Sequence, residues 1–491
     1  MELCTSPFIG GRWFDGAPAR TFAVTNPATG DTLAHGQPAS REDMRAAAAA
    51  AHEAFRETWG PMNAYARATL LHRVGDAIEK HADFIAGVES DDVGKPIFES
   101  KNIDVASAAA TFHHFANAAI DLAGDLKPSP FNEVFDYTLR EPLGVVGAII
   151  PWNFPFLIAA RKIASALAAG NTIVIKPATW APLSTLLFGE LFLEAGMPEG
   201  VLNIVPGGGA DAGTVFSEAP EIEEISFTGS TEIGALLYGA CAPRLKGCTL
   251  ELGGKSPALV LPDCDLDETI AGTLFGAFLN QGECCCGLTR LIVHSDIYDR
   301  FVPRFVAATK AIPVGQPRHE ATRMGPLVHP DHMKVVLGYL QSARDEGATI
   351  LCGGERLTHG PLAKGSFLAP AVIADVTPTM RVWKEEIFGP VVVVTRGKDI
   401  DDMIAQANDT PYGLAASIWT TNIKMAHSLA RRIRAGTVWV NLHNFVFPGA
   451  PYGGYGASGV GTELGREGLL ALTRPKNVMV SLFPQGGFKW Y

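Results

Sequence analysis

Between residues 144 and 253 the chain alternates short apolar runs with stretches of helical periodicity, and no other feature constrains the fold as much. The runs at 144–150, 171–176, 201–205 and 222–227 are rich in Val and Ile and too short for buried helices, so they read as strands. Strands and helices in this order predict an α/β fold with a mostly parallel, doubly wound sheet whose ligands gather at the strand carboxyl ends. Lys176 with Pro177, and Thr228-Gly229-Ser230, stand at such ends.

Three sets of residues carry chemistry. Asn153, in Pro151-Trp152-Asn153-Phe154-Pro155, follows a strand and lies between two prolines in a constrained turn. Its amide can donate to a developing oxyanion or serve as a plain turn residue. Glu251, in Glu251-Leu252-Gly253-Gly254-Lys255, is a lone acid in an apolar, glycine-rich stretch, where desolvation raises a carboxyl pKa toward that of a general base; an exposed loop acid is the other reading. Cys285 is the middle of Cys284-Cys285-Cys286, and a thiolate is a strong nucleophile wherever a base or positive charge favours it. Contiguous cysteines splay apart and lack the C-x2-C spacing that brings two thiolates to one ion, so no metal is expected; Cys284 and Cys286 read as small packing residues. His113-His114 and the pair His329 and His332 each lack a matching second pair and read as surface or packing residues.

Taken together and in order with Phe227-Thr228-Gly229-Ser230, Asp92-Val93-Gly94-Lys95-Pro96, Glu385-Glu386-Ile387-Phe388-Gly389-Pro390 and Pro451-Tyr452-Gly453-Gly454, these strings closely resemble the NAD(P)-dependent aldehyde dehydrogenase superfamily over nearly all 491 residues. The resemblance implies a Rossmann-like cofactor domain (1–122 and 144–253), an α/β catalytic domain (254–455), and oligomerisation strands (123–143 and 472–491) that pair across subunits of a homodimer or homotetramer. It implies oxidation of an aldehyde to the acid, with Cys285 as nucleophile, Glu251 as base for the deacylating water, and Asn153 with the Cys285 N–H as oxyanion donors. Lys162 and Glu463 match positions that help move protons in relatives, although a structural ion pair explains them equally well. Ile149, Trp152, Lys176, Thr179, Gly209, Phe227, Gly229, Ser230 and Leu252 are implied for the cofactor cleft, Glu386 and Phe388 for its nicotinamide ribose end, and His332 for its vicinity. Many NAD-preferring relatives have a glutamate at the place of Thr179; its absence implies NAD use with NADP also accepted. Variable residues implied for the substrate pocket are Phe156, Ile158, Arg161, His443, Asn444 and Phe447, and Arg161 faces either a substrate carboxylate or a structural acid.

The G-x-G-x-x-G fingerprint is absent, since Gly207-Gly208-Gly209 and Gly213 are spaced one residue too far. The helix after Thr228 is the implied pyrophosphate site, its start bearing free N–H groups. A cofactor-free cysteine hydrolase could also use Cys285 and Glu251, but would have no need of Lys176, Ser230 or Glu386. An idle protein that kept the fold would have no need of Asn153, Glu251 and Cys285 together.

At 491 residues the chain exceeds one ordinary core, and 47% hydrophobic with 19% charged residues is globular. A net charge of −11 without a basic run argues against nucleic acid. No apolar stretch approaches a membrane span and Met1-Glu2-Leu3-Cys4 has no secretory pattern, so a cytoplasmic location is expected. Eight cysteines, three of them contiguous, form no spaced disulfide framework, which agrees with a reducing compartment. The alanine-rich stretch 46–51 reads as a surface helix.

Overall fold

The computed structural model describes residues 1–14, 20–484 and 487. Two large sheets organise them. The first has eight strands, and its centre is parallel: Gly247–Glu251, Ile222–Thr228, Val145–Ile149, Thr172–Lys176 and Leu202–Ile204 lie side by side in that order. The chain therefore begins in the middle at Val145–Ile149, winds outward through two strands, and returns to wind the other way. This is the doubly wound topology, with its switch point between Ile149 and Phe227, which are register partners. Antiparallel strands close both edges, Gly459–Val460 against Gly247–Glu251 at one and, at the other, Phe8–Ile9 against Leu202–Ile204 followed by Arg12–Trp13.

The strands Val145–Ile149 and Thr172–Lys176 are buried along their whole length, as a sheet covered by helices on both faces requires. On one face the helix Pro155–Ala168 buries every residue except Arg161. On the other lies Arg41–Ala54, which corrects the expectation of a surface helix for 46–51: Ala47, Ala48 and Ala51 are buried. Their side chains are small enough for the helix to approach the sheet, and Thr172 Oγ1 donates to the Ala51 carbonyl at 2.8 Å.

The second sheet has seven strands from 256 to 440, parallel except for Thr349–Cys352 at one edge. Its faces carry separate apolar cores, one around Trp383 and Leu340, the other around Phe301 and Phe305. A third sheet is small and antiparallel: Thr473–Ser481 pairs along its full length with Val134–Pro142, which also pairs with Leu126–Lys127. These are the segments expected to form assembly strands, and here they pair with each other in one chain; residues 485–486 and 488–491 of the expected tail lie outside the described residues. No described helix is long and apolar enough to cross a membrane.

Candidate active site

Three neighbouring parallel strands of the first sheet end together. Ile149 leads into Pro151-Trp152-Asn153, Thr228 into the helix Thr231–Cys241, and Glu251, the register partner of Thr228, into the glycine turn. The helix Thr231–Cys241 is capped by Ser230, whose Oγ accepts from the Ile233 N–H. A Cβ on Gly229 would sit 2.5 Å from the Phe227 ring, so any larger residue there would have to push the ring aside.

The thiols arrive from the other side, in the loop that links the helix Leu266–Phe278 to the strand Leu288–His294. Asn280 and Gln281 have positive φ, +49° and +57°, a conformation that costs a non-glycine residue roughly 1–3 kcal/mol. Buried hydrogen bonds hold it. The Asn280 N–H donates to Glu99 at 2.9 Å, its side-chain amide donates to the carbonyls of Asn153 and Glu283, and Glu283 Oε1 accepts from the Val328 N–H.

Cys285, Glu251 and Thr228 line two cavities at once. The first, about 220 Å³, is also walled by Asn153, Leu252, His332, Glu386 and Phe388. It shares Trp152, Gly229 and Ser230 with a groove of about 810 Å³ lined by Ile149, Lys176, Thr179, Gly209 and Phe227. The structure thus brings all the expected cofactor residues onto one continuous surface. The second cavity, about 80 Å³, has walls from Ile158, Arg161, Asn444, Tyr452 and Glu463.

Glu251 is buried and neither of its carboxylate oxygens has a hydrogen-bond partner. Desolvation pushes its pKa well up, the nearby Glu463 reinforces the rise, and Lys162 opposes it. Glu463 is itself paired with Lys162, whose ammonium also donates to Ser226 Oγ at 2.8 Å. Asn153 is buried with Nδ2 donating to the Glu283 carbonyl at 3.0 Å, which leaves its second amide hydrogen free. Acceptance from Cys284 lowers the Cys285 pKa, but donation toward Cys286 and burial outweigh it, and the thiol stands above its ordinary value.

The groove end near Cys285 is built from aromatic rings. Trp152 meets His332 at 5.1 Å and the edge of Phe388 at 5.3 Å. Burial lowers the His332 pKa, and its Nε2 lies 2.6 Å from the Phe388 carbonyl, to which the neutral ring donates. Phe388 has φ +58°, so this bond holds a strained residue in place. Glu386 accepts from the Gly254 N–H at 3.0 Å, and burial raises its pKa to about 8. A Cβ on Gly253 would lie 2.1 Å from the Glu386 carboxylate, so glycine is required for this approach.

Three expected substrate residues lie elsewhere. Phe156 turns from its helix into the core and stacks on Phe188 at 4.5 Å, because the helix face at that position meets Leu183–Ala195. His443 is buried behind the thiols, facing Ser417 Oγ at 3.0 Å and the Cys286 carbonyl at 2.8 Å. Burial lowers its pKa to about 4, so it supports the loop as a neutral ring. Phe447 is exposed beside Phe445 and lines neither cavity. Among the described residues Arg161 has no hydrogen bond or ion pair from its guanidinium.

Sequence reasoning missed Trp180 on these walls, and named Thr228 and Tyr452 only as members of strings, without a role of their own. Trp180 stacks on His329 at 4.7 Å beside the groove. Tyr452 was visible only as part of a string, and nothing in that string tells which cavity its hydroxyl enters. Away from the site, His113 approaches Asp76 and Glu79 at 3.8 and 3.6 Å and His72 at 2.9 Å. Among the described residues, His113, Asp76 and Glu79 form the single cluster with the side chains of a cation site, and exposed acids gather in this way without an ion.

Residues 13–478 match the family model described as "Aldehyde dehydrogenase family". The chain is 44% identical over 479 residues to an aldehyde dehydrogenase of Enchytraeus buchholzi, covering 97% of this chain and 95% of that one. It is 41% identical over 483 residues to the mitochondrial aldehyde dehydrogenase of Homo sapiens, covering 98% and 92%. The NAD+ complex of an aldehyde dehydrogenase from Bacillus cereus superimposes with a TM-score of 0.94 at 41% identity, covering 98% of this chain and 97% of that one.

Proposed function

The chain belongs to the aldehyde dehydrogenase family, and from that premise we propose that it oxidises an aldehyde to the free acid through a covalent intermediate on Cys285. The observation that carries this reading is Glu251: a buried carboxyl, bonded to nothing, on the wall it shares with the thiol. A structural acid would be paired. A base that must take protons and release them is better left without a partner.

In this mechanism Glu251 removes the Cys285 proton and the sulfur adds to the carbonyl carbon. The oxygen, now anionic, is met by the free Asn153 amide hydrogen and the Cys285 N–H. NAD(P), when bound, supplies the acceptor for the hydride whose loss turns the thiohemiacetal into a thioester. Once Glu251 has released the Cys285 proton it takes one from water, the hydroxide attacks the acyl carbon, and the C–S bond breaks to return the thiolate. Lys162, Ser226 and Glu463 give the proton on Glu251 a polar route away from the site.

The groove suits a dinucleotide. Lys176 brings an ammonium with no acid bonded to it among the described residues, and the helix start at Ser230 turns N–H groups toward it. Glu386, anchored by Gly254, stands ready to accept from ribose hydroxyls. Thr179 adds no charge, so NADP is accepted along with NAD. A cofactor-free hydrolase would leave this groove without a role. In the second cavity Arg161 provides an unpaired guanidinium above apolar walls of Leu157, Ile158 and Leu279, which favours an aldehyde with an anionic or polar tail.

By this reading residues 1–122 and 144–253 bind the dinucleotide, 254–455 carry the thiol, and 123–143 with the tail from 472 assemble a homodimer or homotetramer. Exposed Phe135, Leu139, Met479 and Leu482 on the small sheet support the last point. The test is Cys285→Ala, which should abolish turnover of aldehydes while NAD binding persists. Full turnover in that variant, with loss in Cys284→Ala or Cys286→Ala, would reassign the nucleophile.

A further inference from the structure

The proposed chemistry makes Cys285 an anion twice, when its proton leaves and again when the thioester breaks. Its surroundings oppose this. Glu251 and Glu386 face it with carboxyl groups, and Cys284 and Cys286 flank it with thiols, while Arg161 faces Glu251 and Cys286. Among the described residues the one oxygen or nitrogen group in hydrogen-bond range of its sulfur is the Tyr452 hydroxyl, 3.7 Å away. Sulfur is large, and that separation suits an O–H···S contact.

Tyr452 is held as a positioned group would be. Its ring is buried, and its backbone is clamped to Glu463 in both directions, N–H to carbonyl at 2.8 Å and carbonyl to N–H at 2.7 Å. The same loop pairs Gly459 with Glu251 and sends Ser458 Oγ to the Gly253 carbonyl at 2.7 Å. One small fold of chain thus sets Tyr452, Glu463 and Glu251 relative to each other. The hydroxyl also faces the Cys286 thiol, so this buried phenol turns toward sulfur, with the Cys285 contact at 3.7 Å.

We propose that Tyr452 is a catalytic residue whose hydroxyl donates a hydrogen bond to the Cys285 sulfur and stabilises the thiolate. The proposal rests on Cys285 being the nucleophile. The Cys285 proton passes to Glu251, the Tyr452 O–H bond stays intact, and only the hydroxyl torsion changes. Desolvation holds the phenol pKa well above its ordinary value, so the group remains a donor while the sulfur is charged.

The experiment is alkylation by iodoacetamide across a pH series, with the modified cysteine identified by peptide mass. Tyr452→Phe keeps the ring and removes the hydroxyl. The pH midpoint for alkylation of Cys285 should move up by about one to two units, a roughly ten- to hundredfold loss of rate near neutrality, as expected for a hydrogen bond to a charged group. Tm and NAD binding should stay as in the parent. An unchanged pH profile at Cys285 overturns the role of Tyr452 and leaves the nucleophile standing. Alkylation of Cys284 or Cys286 in its place overturns both.

Discussion

The side chain of Asn280 donates to the main-chain carbonyl of Asn153 at 2.8 Å, across 127 residues of sequence. It joins the thiol loop to the oxyanion turn, and the strained φ of Asn280 exists to make the joint. Asn280→Ala leaves the buried Asn153 carbonyl unmet, at about 1–3 kcal/mol, while the Glu283 carbonyl keeps the Asn153 amide. We expect a lower Tm and a kcat reduced by about one to two orders of magnitude with cofactor affinity preserved. Parent kcat in this variant would detach the joint from catalysis.

Glu251 ties catalysis to stability. Burial raises its folded pKa above the usual 4.5, so the folded state holds this proton more tightly than the unfolded chain. That contribution is full below about pH 4.5 and is lost as pH rises through the folded pKa. Glu251→Gln should slow acid release, giving a burst of one equivalent of reduced cofactor, and its Tm should fall less than the parent's as pH is raised from about 5 to 9. Parallel Tm curves would mean that folding does not raise the Glu251 pKa, and parent turnover would remove it from the mechanism.

Thr179 donates to the Gly207 carbonyl at 3.2 Å on the groove wall, and burial lowers the Lys176 pKa to about 8. A phosphate on the adenosine ribose would meet a hydroxyl and an ammonium. Thr179→Glu should reduce kcat/KM for NADP relative to NAD by about tenfold or more, since one like-charge contact at an effective dielectric of about 20 exceeds 1.4 kcal/mol. An unchanged ratio would place the ribose elsewhere.

Arg161 is the one residue of Pro155–Ala168 that is not buried, and it borders the small cavity. Arg161→Leu should raise KM for an acidic semialdehyde by about 2–5 kcal/mol in free-energy terms, far beyond its effect on a neutral aldehyde of similar length. Equal changes for both substrates would make the guanidinium structural.

The first sheet was legible because buried parallel strands must be short, apolar and separated by helices, as 145–149 and 172–176 are. Glu251 and Cys285 were singled out by the resemblance: read alone, a glutamate in a glycine-rich turn is as well a loop acid, and three contiguous cysteines do not tell which one is the nucleophile. Phe156 and His443 were not, because placement in a pocket depends on which face of an element meets which neighbour. Phe156 looked like a pocket wall and became half of a stacked pair with Phe188. Tyr452 reaches the thiol through a backbone pair with Glu463, a partnership with no periodicity to announce it.

Thr228, Glu251 and Cys285 each belong to the walls of two chambers. A substitution at any one of them remodels both chambers in a single stroke, so the shape of one cannot be tuned at these three positions without retuning the other.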